Sequence, residues 1–343
     1  MVDMDSLTQV ALGAAVGEAT LGRRVGNTAP LWGAFFGTLP DLDVLAYPFL
    51  DTVGQLAFHR GPTHSLLFSF MMAPLFGWAL GRLHKKKGVD WRSWALLVWA
   101  CLITHPLLDA FTAYGTQLFW PFTNANVAFN TINIIDLLYT LPLLIGVGIS
   151  MFRKRTTPAR SRPNRVGLII STLYLAFTIG NHLYVKQAFQ ANWAAAGVVP
   201  EQATVMPTLG NNVLWNGLAL ADDTLYVGAY SILDADRVIA LQAIPRNTHL
   251  LDGLYGRGLD QVLWFSMGYY TIEQTSMGLQ FNDLHIGRGD QFLTEAAPSI
   301  FAFRLVPEDG SPQHISNVRQ LPQGIPTSGD TWRMFGQRIL GNE

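Results

Sequence analysis

Residues 58–70, FHRGPTHSLLFSF, place two histidines and an arginine directly before a long apolar run. The run continues to residue 83, and Arg82 is its only Lys, Arg, Asp or Glu. A helix of about 20 apolar residues crosses the hydrocarbon core of a bilayer. The stretch therefore predicts a membrane-spanning helix at residues 64–83 that begins beside a group of polar side chains.

The composition of the whole chain is typical of a membrane protein. Only 14% of its 343 residues are charged, against about 25% in soluble domains, and its mean hydropathy is +0.22. Further spans are predicted at residues 6–22, 28–47, 91–114, 131–152 and 166–185. We therefore expect a polytopic α-helical membrane protein with about six helices in residues 1–187.

The last part of the chain, residues 188–343, has a different pattern. The stretches VLWNGLAL, TLYVGAYSI, LQFNDLHIG and SIFAFRLV are bounded by Gly, Asp, Asn or Pro and read as strands. GLDQVLWFSMGYY reads as a short helix that runs into a strand, and we expect Trp215, Trp264, Phe265 and Tyr269 to be core residues. The pattern predicts an α+β domain rich in antiparallel strands.

Basic residues predict the orientation in the membrane. Lys and Arg cluster after the first span, between the third and fourth, and between the fifth and sixth, whereas Arg60 is the only basic residue in the opposite loops. Because such loops stay in the cytoplasm, we expect a multi-pass membrane protein with both termini and the C-terminal domain on the outer side, which is the periplasm if the source is a Gram-negative bacterium. The formal net charge of −1 argues against a nucleic-acid partner.

Ionisable residues beside the apolar runs converge on the outer side under this topology. They are Asp5, Asp41, Asp43, His59, His64, His105, Asp109, Asp136 and His182. Placing an ionisable side chain in or beside a bilayer costs free energy, so such residues are expected to have a function or a structural partner. For Asp5 and Asp136 the alternative is helix capping or packing, and for His182 we favour a hydrogen-bonded role over a ligand role. His249, His285 and His314 have no partner at a useful spacing, so the sequence assigns them none.

The spacing of these residues favours a metal site. His105 and Asp109 are four residues apart and share one face of a helix. Thr63 is expected to cap the third span, so that His64 opens that helix with His59 looped back beside it. Asp41 and Asp43 cannot point the same way from a regular helix, which suggests an irregular backbone after Pro40 or separate roles for the two carboxylates. Imidazole and carboxylate ligands together suit zinc or a similar divalent ion.

Four motifs in fixed order resemble the YdjM family of inner-membrane metal-dependent hydrolases. They are PDLD at 40–43, HRGPTHS at 59–65, THPLLDAFTAYG at 104–115 and IID at 134–136. The resemblance implies a metal site at Asp41, Asp43, His59, His64, His105, Asp109 and Asp136. Members of that family carry Thr-His near the start, where this chain has Thr8-Gln9. Because Gln is a poor zinc ligand, we expect Gln9, like Thr63 and Thr104, to contact the ligands instead of the metal.

The expected chemistry is hydrolysis by metal-bound hydroxide, with one or two zinc ions, or manganese, as cofactor. A divalent metal lowers the pKa of bound water to about 7, and Asp43 or Asp41 is the expected general base. Arg60 suits a phosphate oxygen; its alternative is an ion pair with Asp51 or a position among lipid headgroups. A pocket at the outer membrane surface meets lipids first, so we expect a phosphoester of a lipid or lipid-linked substrate.

Two alternatives remain open at this stage. Carboxylic ester or amide hydrolysis would use the same residues. A non-enzymatic membrane metal-binding, transport or scaffold protein would also keep the polar cluster. The sequence does not specify the oligomeric state.

Overall fold

The computed structural model describes residues 6–294, 297–322 and 329–342; Asp5 lies outside them. The N-terminal region is helical. Its α-helices are α1 (Ser6–Val25), α2 (Thr28–Thr38), α3 (Thr52–Phe58), α4 (Leu66–Leu83), α5 (Trp91–Asp109), α6 (Leu137–Met151) and α7 (Ser161–Ala195). Between α2 and α3 the chain forms a 3₁₀ segment, Leu39–Phe49, and before α4 a short 3₁₀ turn, Pro62–His64.

Within the residues that the structure describes, two helical stretches are long and apolar enough to cross a membrane. They are α4, Leu66–Leu83, and Pro158–Ala195, which includes α7; each has a window of mean hydropathy 1.5, of which only 22% is buried inside the protein. Helix α6 is apolar but shorter. The outward-facing apolar side chains fit association with a membrane.

Several boundaries differ from the sequence prediction. Helix α5 ends at Asp109 instead of residue 114, and α6 begins at Leu137 instead of residue 131. The second predicted span is α-helical only to Thr38 and continues as the 3₁₀ segment, because Pro40 lacks an N–H and disfavours α-helical backbone at the residue before it. The expected cap at Thr63 is wrong: Ser65 has the extended backbone of an N-cap, and its hydroxyl accepts a hydrogen bond from Phe68 N at 3.0 Å. His64 therefore lies in the turn before α4, not in the helix.

Helix α1 packs between its neighbours through small residues. Gly13 and Gly17 of α1 face Gly33 and Gly37 of α2, and a Cβ added at Gly33 would lie 2.2 Å from the Gly13 carbonyl oxygen. Paired glycines four residues apart let two helix backbones approach this closely. The contact between α1 and α2 also positions Gln9 and Gly37, and both of these residues contact side chains of the candidate metal site.

A buried ion pair fixes the opposite end of α1. Arg160 donates to both carboxylate oxygens of Glu18, at 2.8 and 2.6 Å, and also to Asn27 Oδ1 at 2.8 Å. Both charged side chains are 2% exposed. The bidentate geometry satisfies charges that would otherwise be costly to bury.

The C-terminal domain contains two four-stranded antiparallel sheets. Their strand orders are β1-β2-β3-β4 and β5-β6-β7-β8. The strands are β1 (Gln202–Pro207), β2 (Leu214–Ala221), β3 (Thr224–Ser231), β4 (Gln242–Pro245), β5 (Tyr270–Thr275), β6 (Gly278–Arg288), β7 (Ser299–Glu308) and β8 (Ser311–Gln320), with helices α8 (Arg257–Phe265) and α9 (Gly329–Ile339). The four stretches predicted as strands are β2, β3, β6 and β7, and the predicted helix-then-strand is α8 followed by β5.

The predicted core aromatics behave in two ways. Trp215, Phe265 and Tyr269 are buried. Trp264 is only partly buried, and its Nε1 donates to the Asn124 carbonyl at 2.9 Å. Helix α7 continues without a break past residue 187, the predicted end of the membrane region. Trp193, in the last turns of this helix, packs in the same core as Trp215.

The two regions meet where α3 packs on α8. Val53 and Leu56 of α3 share a core with Val262 and Phe265 of the C-terminal domain. Asp51, the N-cap of α3, pairs with Arg257 at 2.8 Å, so it is not the partner of Arg60.

Candidate metal centre

Four side chains from three segments converge on one point. Asp41 comes from the 3₁₀ segment, His64 from the turn before α4, and His105 and Asp109 from one face of α5. His64 Nε2 lies 3.1 Å from His105 Nε2, 3.3 Å from Asp41 Oδ1 and 3.4 Å from Asp109 Oδ2. His105 Nε2 lies 3.3 Å from the same two oxygens. We call these four residues the Asp/His cluster.

The cluster has the dimensions of a metal site. Ligand atoms about 2.0–2.2 Å from a tetrahedral ion lie roughly 3.3–3.6 Å from one another. The five distances above fall between 3.1 and 3.4 Å. Among the described residues, Asp109 Oδ2, which faces both cluster histidines, is buried without a hydrogen-bond donor. Buried anionic oxygens without donors are costly, so the cluster fits a bound cation, and it can hold a metal ion.

Neighbouring groups orient the ligands. His105 Nδ1 donates to the Gly37 carbonyl at 2.6 Å, which leaves the Nε2 lone pair directed at the cluster. Thr63 Oγ1 lies 3.1 Å from His64 Nδ1, and Gln9 Nε2 donates to Asp109 Oδ1 at 2.7 Å. Thr104 does not reach the cluster, because its hydroxyl donates to Ala100 O in its own helix at 2.8 Å.

Asp43 and His59 form a pair beside the cluster, not within it. Both Asp43 oxygens lie 3.2 Å from His59 Nδ1, and Asp43 Oδ2 also accepts from the Arg60 N–H at 3.1 Å. His64 Nδ1 is 3.8 Å from Asp43 Oδ2, so this pair lies directly behind a cluster histidine. The two carboxylates of PDLD therefore lie on opposite sides of His64: Asp41 also contacts His105, whereas Asp43 also contacts His59.

Asp136, predicted as a ligand, is directed elsewhere. Its carboxylate caps α6 by accepting from Leu138 N and Tyr139 N, and it accepts from the Tyr174 hydroxyl at 2.7 Å. These hydrogen bonds satisfy the carboxylate, so Asp136 is a helix cap in this structure. His182 is likewise hydrogen-bonded, with its Nδ1 donating to Asn130 O at 3.0 Å.

Arg60 lies against the cluster with unused donors. Its side chain is 1% exposed, its Nε is 3.7 Å from Asp109 Oδ2, and its Nη1 donates to Thr112 Oγ1 at 3.2 Å. Within the described residues, its Nε and Nη2 have no hydrogen-bond acceptor. The guanidinium stacks on Tyr114 at 4.6 Å from the ring centre. A left-handed backbone, with φ of +55°, is uncommon at an arginine and turns its N–H toward Asp43.

A buried polar pair on β6 was not predicted from the sequence. His285 on β6 is buried and its Nδ1 donates to Asp283 at 2.6 Å, while His285 Nε2 and Asp283 Oδ2 find no partner in the described part of the chain. His285 packs edge-on against Phe265, which in turn contacts Tyr114. The available signal was the Asp-Leu-His spacing, because residues two apart on a strand share a face.

Comparisons with known proteins find a family match that covers the helical region of the chain. The family described as YdjM inner membrane protein matches residues 4–185, a range that includes the whole Asp/His cluster. Inner membrane protein YbcI of Escherichia coli K12 is 39% identical over 88 residues, which cover 26% of this chain and 49%, about half, of that protein. No solved structure matches the chain. Since the family match covers more than half of its length, the chain belongs to the YdjM inner membrane protein family.

Proposed function

We propose that the protein is a membrane-bound metal-dependent hydrolase that cleaves a phosphoester of a lipid or lipid-linked substrate at the outer face of the membrane. The observation that carries the proposal is the Asp/His cluster with Arg60 beside it. Asp41, His64, His105 and Asp109 would hold the metal. Their spacing suits an ion of the size of zinc, with manganese as the second choice.

The residues around the cluster suit phosphoester hydrolysis. When bound, a divalent metal supplies a nucleophile at neutral pH and polarises the oxygen under attack. Arg60 would bind a phosphoryl oxygen through its free Nε and Nη2, since a planar guanidinium matches that geometry. The Asp43–His59 pair would accept the proton, with Asp43 holding His59 Nδ1–H and orienting the ring. Ester or amide substrates would use the same groups but make less use of Arg60.

The distribution of arginines supports a position of the Asp/His cluster near the outer face of the membrane. Helices α1, α4 and α5 each have cluster residues, or residues that contact the cluster, at one end and arginines at the other. The arginine ends correspond to the loops that the positive-inside rule retains in the cytoplasm. The cluster would then lie near the outer surface, where phospholipid headgroups are abundant.

A specific observation favours a second candidate, a non-enzymatic metal-binding protein. Structural zinc sites use four protein ligands, whereas catalytic sites keep one position open for water. The Asp/His cluster offers four ligand atoms. Catalysis would therefore need displacement of a ligand or a fifth position, and the Asp41 side chain, 15% exposed, is the most accessible of the four.

Elemental analysis of the detergent-purified protein tests metal binding first. Wild type should carry stoichiometric metal, and His105→Ala and Asp109→Ala should lose it. His182→Ala is the matched control, because His182 lies outside the cluster, and it should keep the metal. No metal in wild type after reconstitution with zinc or manganese would refute both candidates.

Turnover then separates the two candidates. Metal-loaded wild type should release phosphate or headgroup from phospholipid or lipid-phosphate vesicles. Arg60→Met should keep its metal and lose most of that turnover. A metal-loaded wild type that hydrolyses none of these substrates would favour the non-enzymatic candidate.

A further inference from the structure

A cavity of about 220 Å³ lies between the helical region and the C-terminal domain. One wall is Tyr114 with residues 133–135, which precede α6; the others come from Ile286 on β6, Ile300 and Phe301 on β7, and Phe335 on α9. Its lining is mostly apolar. Among the described residues that line it, Asp290 provides the one carboxylate, which is already hydrogen-bonded to Thr294 and to Phe292 N.

The cavity and an apolar groove of the helical region are lined by neighbouring stretches of the chain. Leu137 and Leu138, in the first turn of α6, are 54% and 64% exposed and line a mostly apolar groove between α6 and α7, whose lining also includes Arg153 and Arg162. Only Asp136, which is 3% exposed, separates them in sequence from Ile135, which lines the cavity and is itself 39% exposed. A hydrocarbon chain that runs from the groove toward the cavity would therefore pass a carboxylate that is buried and already hydrogen-bonded.

The inner wall of the cavity is shared with the candidate metal centre. Tyr114 lines the cavity, and its ring also contacts the Arg60 guanidinium and, at 5.3 Å between ring centres, His59. A molecule whose chain occupies the cavity would have its polar end next to these two residues.

The size and chemistry of the cavity restrict its occupant. Pockets that enclose a whole small molecule measure roughly 300–1,000 Å³ and add a few polar groups for orientation. This cavity is smaller, at about 220 Å³, and its carboxylate is internally satisfied. It suits a segment of an unbranched hydrocarbon chain whose remainder lies elsewhere.

We propose that this interdomain cavity binds the part of a lipid acyl chain nearest the headgroup, with the rest of the chain in the α6–α7 groove. The inference rests on the proposed function, because it makes the substrate a membrane lipid whose headgroup lies at Arg60. It gives the C-terminal domain a role in substrate binding.

Photo-crosslinking of the full chain tests the proposal without requiring turnover. The protein is placed in nanodiscs of phosphatidylethanolamine and phosphatidylglycerol that contain phosphatidylglycerol with a diazirine near the start of one acyl chain. Labelled peptides are identified by mass spectrometry. We expect label on β7 and α9 as well as on the α6–α7 groove.

Filling the cavity should remove the label from the C-terminal domain only. Ile300→Trp should abolish labelling of β7 and α9 and leave the label on α7. Val238→Trp is the control, because Val238 is 77% exposed and outside the cavity. If Ile300→Trp does not fold, Phe335→Trp fills the same space from α9.

The outcomes separate this inference from the proposed function. His105→Ala should keep the C-terminal label while losing metal, because none of the four cluster residues lines the cavity. Label confined to the membrane helices, or C-terminal label unchanged in a folded cavity-filling variant, would overturn the acyl-chain assignment whatever the enzyme assays show.

Discussion

Gly33→Ala should damage the metal centre from a distance, through the contact between α1 and α2. An added Cβ would lie 2.2 Å from Gly13 O and 2.9 Å from Gly17 Cα. Contacts below 3.0 Å are essentially not seen for real Cβ atoms. The helices must therefore separate by about 0.8 Å, since both clashing atoms belong to backbone and cannot rotate away.

The displacement reaches the cluster through Gly37. Its carbonyl accepts from His105 Nδ1 at 2.6 Å, and α2 carries it one turn beyond Gly33. A shift of about 0.8 Å along this contact would stretch the hydrogen bond past the ordinary upper limit of roughly 3.2 Å. We expect about 1–3 kcal/mol of lost stability from overpacking and about 10- to 100-fold weaker metal binding from the loss of the orienting hydrogen bond.

The assay is competition for zinc against a chelator, with thermal unfolding in detergent measured in parallel. Gly180→Ala is the matched control, because Gly180 is also helical and has nothing within 4 Å of an added Cβ. It should bind zinc as wild type does and be equally or slightly more stable. If folded Gly33→Ala bound zinc as tightly as Gly180→Ala, that result would refute the role of the Gly37 carbonyl in orienting His105.

Two further predictions concern ion pairs. Arg160→Met should cost about 3–5 kcal/mol, because it leaves the Glu18 carboxylate buried without a cation, and adding Glu18→Gln should recover much of the loss; thermal unfolding measures both, and a fully stable single variant would contradict the pairing. For Asp51, burial alone raises the pKa of the carboxyl, but hydrogen bonds from Arg257 and Gly54 N–H outweigh it and lower that pKa. Its stabilisation is therefore present at neutral pH and is lost as the pH falls below about 4 toward the lowered value. Asp51→Asn should cost about 0.2–1 kcal/mol at pH 7, as expected for an exposed pair, and should remove this acid dependence.

Part of the candidate metal centre could be predicted from sequence because its geometry is local. His105 and Asp109 share a helix face, and that spacing survives in any packing. The separate fates of Asp41 and Asp43 also have a local cause: a 3₁₀ segment has about three residues per turn, so side chains two apart point in different directions. Which carboxylate meets which histidine depends on how the segment folds over α5, and the sequence does not specify that.

Other features depend on contacts that no local pattern encodes. Asp136 precedes an apolar helix, so its sequence suits a cap and a ligand equally well, and only its position near Tyr174 decides between them. Helix α1, predicted as a span at residues 6–22, is not among the helices apolar enough to cross a membrane, and it contains Glu18 together with many glycine and alanine residues. Those same small residues let it pack closely against α2, which is a tertiary reason for their presence.

The contacts of the C-terminal domain are the least predictable from sequence, although β2, β3, β5, β6 and β7 were predicted as strands; β1, β4 and β8 were not. Its contact with the helical region places Phe265 and Phe301 against Tyr114, and Tyr114 against Arg60. A guanidinium that is 1% exposed and has unused donors needs such cover to stay out of water, where its attraction for a phosphoryl oxygen would be screened. The domain thus shields the residue on which the phosphoester proposal depends. We therefore expect Phe265→Ala, which opens this cover without touching a cluster residue, to weaken anionic-lipid binding more strongly than metal binding.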